Sequence, residues 1–148
     1  MKITFLGTGT SQGIPMIANN DPVCMSDNFK DKRLRCSVMI SWDDNRYIID
    51  CGPDFRQQML RENIQAINGV LFTHEHSDHT AGIDDLRPYT YKMGEVPIYA
   101  QKRVLESLKV RFSYIFETKN RYAGAPKLSA NIIDSESFML DGVKVTPL

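Results

Sequence analysis

All three histidines of this 148-residue chain fall between positions 74 and 79, in the run Thr73-His74-Glu75-His76-Ser77-Asp78-His79-Thr80. An apolar stretch, residues 69–73 (GVLFT), leads straight into it. The combination constrains the fold, because a short buried strand must end where ionisable side chains can meet solvent or an ion. His74 and His76 are two apart, so an extended segment points both the same way. Asp78 and His79 then fall in a turn entering a helix and face a neighbouring position. Neutral imidazoles and carboxylates are ligands for borderline ions such as zinc. Two ions roughly 3.5–4 Å apart form a known hydrolytic arrangement. The bland alternative is a solvated loop that happens to be histidine-rich. Every histidine of the chain gathered at one strand end speaks against it.

The remaining pattern is that of a mixed α/β domain. Residues 2–6 alternate around Ile3 and Phe5 and predict a strand, followed by a glycine-rich loop over 7–15. Residues 16–35 are polar and irregular, a long loop of the functional or mobile kind. Residues 36–42 and 46–50 predict a hairpin around Asp43-Asp44-Asn45. Cys51-Gly52-Pro53 breaks it, and Asp54 is placed to cap a helix through about Asn63, with Phe55, Gln58 and Met59 inward. A short helix over 82–86 closed by Pro88, a strand over 96–100 and a helix over 101–116 come next. Loop 117–130 and strands over 131–134, 137–140 and 143–147 complete the chain, the last two joined by Asp141-Gly142.

Eighteen basic residues balance eighteen acidic ones, which disfavours a non-specific nucleic-acid binder but leaves room for a local basic patch. No run is long enough for a bilayer, and the start MKITFLGTGT is no signal peptide. The three cysteines, Cys24, Cys36 and Cys51, are widely spaced and do not predict a disulfide framework. Together these features predict a cytoplasmic protein without a membrane partner.

The H-x-H-x-D-H motif resembles the signature of the metallo-β-lactamase superfamily. The flanking runs F-L-G-T-G-T-S-Q-G-I-P (5–15), I-D-C-G-P-D-F-R (49–56) and T-A-G-I-D-D-L-R-P (80–88) narrow the likeness. They resemble the branch containing phosphoribosyl 1,2-cyclic phosphate phosphodiesterase and, more distantly, the transfer-RNA 3′-end processing endonucleases. The resemblance implies an αββα sandwich with two metal ions between its sheets, of which residues 1–148 form the N-terminal half. It implies a metal-dependent hydrolase with a dinuclear zinc centre, or manganese in its place. His74 and His76 match two ligands of one ion, and Asp78 and His79 two ligands of the other. Asp50 matches an aspartate beneath the motif, whose expected part is to accept a proton from a ligand imidazole. The competing reading of Asp50 is a strand-end acid capping Gly52 or the turn.

Other residues carry weaker expectations. Gly7, Gly9 and Gly13 let backbone approach a ligand, or only permit positive φ. Arg35, Arg56 and Arg87 offer bidentate contacts to a phosphate, or pair with Asp54 and Asp85 at the surface. Where branch members carry a cysteine cluster for structural zinc, this chain has Asn19 and Asp21, and Cys24 alone is not a closed site. No histidine follows His79, so the family's further ligands are lacking, and the single domain 1–148 reads as incomplete. The expected substrate is a small, cyclic or linear, phosphodiester, hydrolysed by metal-activated water with Asp78 positioning a metal. The alternatives are a truncated chain without activity of its own, half of a split protein, or a hydrolase of transfer-RNA ends, thioesters or β-lactams. The sequence displays neither a clamping arm nor an evident basic surface for transfer RNA.

Overall fold

The computed structural model describes residues 1–119 and 121–147. Its main sheet has six strands in sequence order: β1 (Lys2–Gly7), β2 (Ser37–Trp42), β3 (Asn45–Ile49), β4 (Gly69–Leu71), β5 (Val96–Ala100) and β6 (Leu128–Ile132). The first three strands pair antiparallel, β1 and β2 across a long loop and β2 and β3 through a tight turn, and β3 to β6 run parallel. Parallel pairing requires crossovers, and the helices supply them. They are α2 (Phe55–Arg61) between β3 and β4, α3 (Ser77–Thr80) and α4 (Arg87–Met93) between β4 and β5, and α5 (Lys102–Arg111) and α6 (Ser113–Phe116) before β6. The long loop 16–35 contains only α1 (Pro22–Met25) and one 3-10 turn, Phe29–Asp31.

Strand alternation divides the sheet into two different faces. Met39, Ile48, Val70 and Ile98 stand side by side across β2 to β5, and the last three are fully buried beneath the helices. Phe55, Leu105 and Leu108 cover them from α2 and α5. Each such side chain contributes about 1.5–3 kcal/mol of transfer free energy. The opposite face carries Ile3 and Phe5 at 59% and 67% exposure beside half-buried Val38, Ile49 and Leu71. A hairpin of β7 (Phe138–Leu140) and β8 (Val143–Val145) closes one corner of that face. There Phe138 stacks on Tyr99, and the Tyr47 hydroxyl and Asn68 amide donate to the turn carboxylate of Asp141 (2.8 and 2.9 Å).

Several boundaries differ from the sequence expectation for identifiable reasons. Pro88 does not close a helix but sits in the first turn of α4, where its missing N–H costs nothing. Residues 83–86 are a 3-10 turn feeding that helix. The stripe over 101–116 is broken at Phe112 (φ −118°, ψ 42°), which separates α5 from α6. The strand expected at 131–134 begins at Leu128, because its partner β5 registers Val96 against Leu128. Asp54 occupies the N-cap position of α2 without capping it, since its carboxylate accepts from the Arg35 N–H (2.8 Å) and guanidinium (2.9 Å). No helix among the described residues is long and apolar enough to cross a membrane.

Candidate metal centre

Strand β3 ends at Ile49, and the next residue, Asp50, takes φ +64°. Left-handed backbone at a non-glycine residue is uncommon and tolerated best by Asn and Asp. The Asp50 N–H still donates to Leu71 on β4 (2.9 Å), and its carbonyl accepts from the Ser37 hydroxyl (2.8 Å). Its side chain, 4% exposed, faces the run that follows β4. Oδ1 accepts the Thr73 N–H (2.8 Å), while Oδ2 accepts the Thr73 hydroxyl (2.8 Å) and His79 Nδ1–H (2.7 Å).

These bonds assign tautomers. A carboxylate only accepts, so His79 carries a proton on Nδ1, and in the neutral ring Nε2 keeps its lone pair. Thr73 spends its single hydroxyl proton on Asp50, so at 3.0 Å it accepts from His74 Nδ1–H. The Nε2 of His74 is freed in the same way. One buried carboxylate therefore orients two imidazoles, one directly and one through Thr73.

The rings form one patch, with His74 between the others, 4.0 Å from His79 and 4.8 Å from His76 by ring centroids. His79 Nε2 stands 3.2 Å from Asp78 Oδ2. Two ligands of one tetrahedral ion at bond lengths of about 2.0–2.1 Å stand roughly 3.3 Å apart, so this pair fits a shared zinc. Among the described residues no three His, Cys, Asp or Glu side chains already converge as a full ligand set. The donor chemistry suits a divalent ion; a complete coordination sphere needs further ligands.

Glycines let the 51–53 segment press against the motif. The Cys51 N–H donates to the His79 carbonyl (2.8 Å), and Gly82 N–H returns a bond to the Cys51 carbonyl (2.9 Å). A Cβ at Gly52 would lie 2.0 Å from the Asp78 carbonyl oxygen, and one at Gly82 would lie 2.2 Å from the Gly52 carbonyl oxygen. Gly52→Ala is therefore expected to destabilise the protein by about 2–3 kcal/mol, the upper range for overpacking. Chemical denaturation measures it, and an unchanged midpoint would mean that the segment shifts freely. Burial, then the nearby Asp85 and Asp50 charges, pushes the Cys51 thiol well above its ordinary range. Cys51 is thus a neutral packing group rather than a thiolate ligand.

The other sequence candidates are dispersed. Arg35 is bound to Asp54 and to the Ser11 carbonyl, and Arg87 pairs with Asp84 (3.1 Å). Arg56 faces Asp85, whose carboxyl is raised by burial, with Arg56 opposing the shift. Gly7 and Gly9 closely approach the backbone of residues 33–35, and Gly13 takes φ +70°. Asn19 accepts the Asp21 N–H (2.7 Å), and Cys24 is buried. A cleft at the β1 edge is lined by Lys30, Lys32, Arg33 and Arg61 with exposed Phe5 and Phe29. This local basic surface was overlooked in sequence, where its members are split between 30–33 and 61. Sequence reasoning also missed Thr73, although it adjoins the motif, and Arg103 and Arg111, which lie far along the chain without a local signal.

The sequence profile of the beta-lactamase superfamily domain matches residues 45–148. Among solved structures, a diphosphatase of the PhnP family superposes with a TM-score of 0.87 at 38% identity, over 98% of this chain and 55% of that one. Zinc-bound PqqB from Methylobacterium extorquens gives 0.73 at 23% identity, over 99% and 51%, a likeness of fold. An octanoyltransferase of Porphyromonas gingivalis is 41% identical over 100% of this chain and 30% of its own length. A ribonuclease Z of Methanococcus maripaludis is 26% identical over 93% and 42%. The chain thus spans less than half of these curated relatives and about half of the solved structures. With its profile match over most of the chain and its six-stranded sheet under helices, the chain belongs to the beta-lactamase superfamily, a family of hydrolases, and has the metallo-β-lactamase fold.

Proposed function

We propose that the protein containing this chain is a metal-dependent phosphodiesterase acting on a small, cyclic or linear, phosphodiester. The observation that carries the metal reading is the Asp50 network, which frees Nε2 of His74 and His79 and leaves His79 Nε2 beside Asp78 Oδ2. In this reading His74 and His76 hold one ion, and Asp78 and His79 the other. Zinc or manganese bound there supplies a water acidic enough to yield hydroxide near neutral pH, and neutralises phosphate oxygens. The chain's own part is orientation. Asp50 holds Nδ1–H of His79 directly and that of His74 through Thr73, so that each neutral ring turns Nε2 outward as the ligating atom. The Gly52 and Gly82 contacts hold the Asp78-His79 turn against the end of β3. The phosphate half of the proposal rests on the 38% identity to a diphosphatase.

A second reading, hydrolysis of an RNA end, draws on the ribonuclease Z relatives and the basic, aromatic cleft. Cations beside exposed aromatic rings suit a phosphate chain with stacked bases. One assay separates the two. The extended protein, with added zinc or manganese, is offered bis(p-nitrophenyl) phosphate and a transfer-RNA precursor with a 3′ trailer. Turnover of the small ester with an uncut precursor is the expected result. Cleavage of the precursor alone would favour the second reading, and inertness towards both would remove the phosphodiesterase assignment.

A further inference from the structure

Residues 74–76 lie between β4 and α3 and belong to no strand or helix, so their carbonyls must find partners elsewhere. Helix α5 provides one. Arg111, in its last turn, donates from Nη1 to the Glu75 carbonyl and to the Thr80 hydroxyl (3.2 Å), and from Nη2 to the Ser77 hydroxyl (3.0 Å). The fully buried Thr80 hydroxyl in turn reaches the His76 carbonyl (2.9 Å). Arg111 stands over the Phe112 ring, 5.3 Å from its centroid, a contact that restrains the guanidinium. About two turns earlier, Arg103 donates to the Glu75 carboxylate (2.6 Å).

The two arginines are not equivalent. Arg103 and Glu75 form a side-chain ion pair in which Arg103 is 59% exposed, the kind of contact worth little in water. Arg111 grips one main-chain carbonyl and two hydroxyls of the same segment. The Glu75 carbonyl belongs to the peptide that sets the direction of His76, and Ser77 and Thr80 begin and end α3, which carries Asp78 and His79. One planar donor fork therefore touches the segment of each proposed ligand pair. A lysine has three donors on one nitrogen and lacks the planar fork by which Nη1 and Nη2 reach different acceptors here.

We propose that Arg111 is a positioning residue for the metal centre, a clasp from α5 that holds the His74-to-His79 segment in its ligating shape. The inference rests on the ligand assignment under Proposed function. It is tested in the extended protein with Arg111→Met, Arg111→Lys and, as a control on the same helix, Arg103→Met. Two quantities are read: amide hydrogen exchange of residues 74–80 in metal-free protein, and zinc affinity by competition with a chromogenic chelator.

Arg111→Met is expected to speed exchange across 74–80 and weaken zinc binding by about tenfold, the lower end for removing a group that orients metal ligands. Arg111→Lys keeps the charge and is expected to fall between Arg111→Met and wild type. Arg103→Met is expected to stay within about twofold of wild type. If Arg111→Met does not fold, Arg111→Lys decides by the same two readings. Unchanged exchange overturns the clasp. Faster exchange with unchanged zinc affinity overturns it as well, because the ligands then do not feel the loop. Wild-type protein that takes up no zinc instead overturns the metal reading on which the inference rests, a result distinct from either.

Discussion

Asparagine at position 50 is expected to weaken zinc binding about 10- to 100-fold with little loss of fold. The backbone tolerates the change, because asparagine enters the left-handed region at φ +64° at least as readily as aspartate. The side chain keeps its size and one oxygen. An amide group replaces the other carboxylate oxygen, and it donates where Asp50 accepts. If the retained oxygen still receives the Thr73 N–H, the new NH2 faces His79 Nδ1 and the Thr73 hydroxyl. The imidazole can answer only by moving its proton to Nε2, the nitrogen that stands 3.2 Å from Asp78 Oδ2. The proposed ligating lone pair is lost although no ligand has been replaced. Thr73→Val should reproduce the part of the effect that passes to His74, and Thr73→Ser should spare it. Chelator competition measures both series. Wild-type affinity in Asp50→Asn would show that the carboxylate does not govern the imidazoles.

The second expected result concerns the chain taken by itself. Residues 1–148, made alone, should show no robust turnover of an activated phosphodiester, while the extended protein shows metal-dependent turnover. The reason is ligand arithmetic. A catalytic zinc site uses about three protein ligands and one open position. His74 and His76 give one ion two, and Asp78 and His79 give the other two. No histidine follows His79 in this sequence, and no third His, Cys, Asp or Glu completes a set among the described residues. The sheet face bearing Ile3 and Phe5 is also open to water, which raises the local dielectric and weakens stabilisation of developing charge. The comparison is run on both proteins with a His76→Ala control in each. Turnover by 1–148 that approaches the extended protein and vanishes in its control would mean that the chain completes its site by other means.

The parts legible in the sequence are those written in adjacent residues. The hairpin pattern over 36–50, the apolar run 69–73 and the run 96–100 marked strands whose inward members Ile48, Val70 and Ile98 lie under the helices, because a strand's pleat depends only on near neighbours. The inward side of α2, Phe55, Gln58 and Met59, followed from helical spacing. The Asp141-Gly142 turn was equally local, with both residues at positive φ as the dipeptide requires. The H-x-H-x-D-H run named its own chemistry, since residue types and spacing suffice to mark an ion site. Asp50 could be singled out only through its likeness to a family.

Distance along the chain hid the rest. Asp54 satisfied every local rule for a helix cap, yet Arg35, nineteen positions away, offers it a backbone N–H and a charged guanidinium N–H, and the two together outcompete a helix amide. Pro88 reads as a stop signal and instead starts α4, a choice made by the packing of Leu86 and Tyr89 into the core. The proton relay from His74 through Thr73 to Asp50 exists only because β3 and β4 pair in parallel and bring their ends together. Arg111 meets the Glu75 carbonyl across thirty-six residues because α5 packs back over the same sheet. Sequence determined which groups this protein owns and the local shape that carries them. Tertiary structure alone decided which group each imidazole nitrogen faces and what holds the loop, because those outcomes depend on hydrogen bonds between segments that only the completed sheet brings within reach.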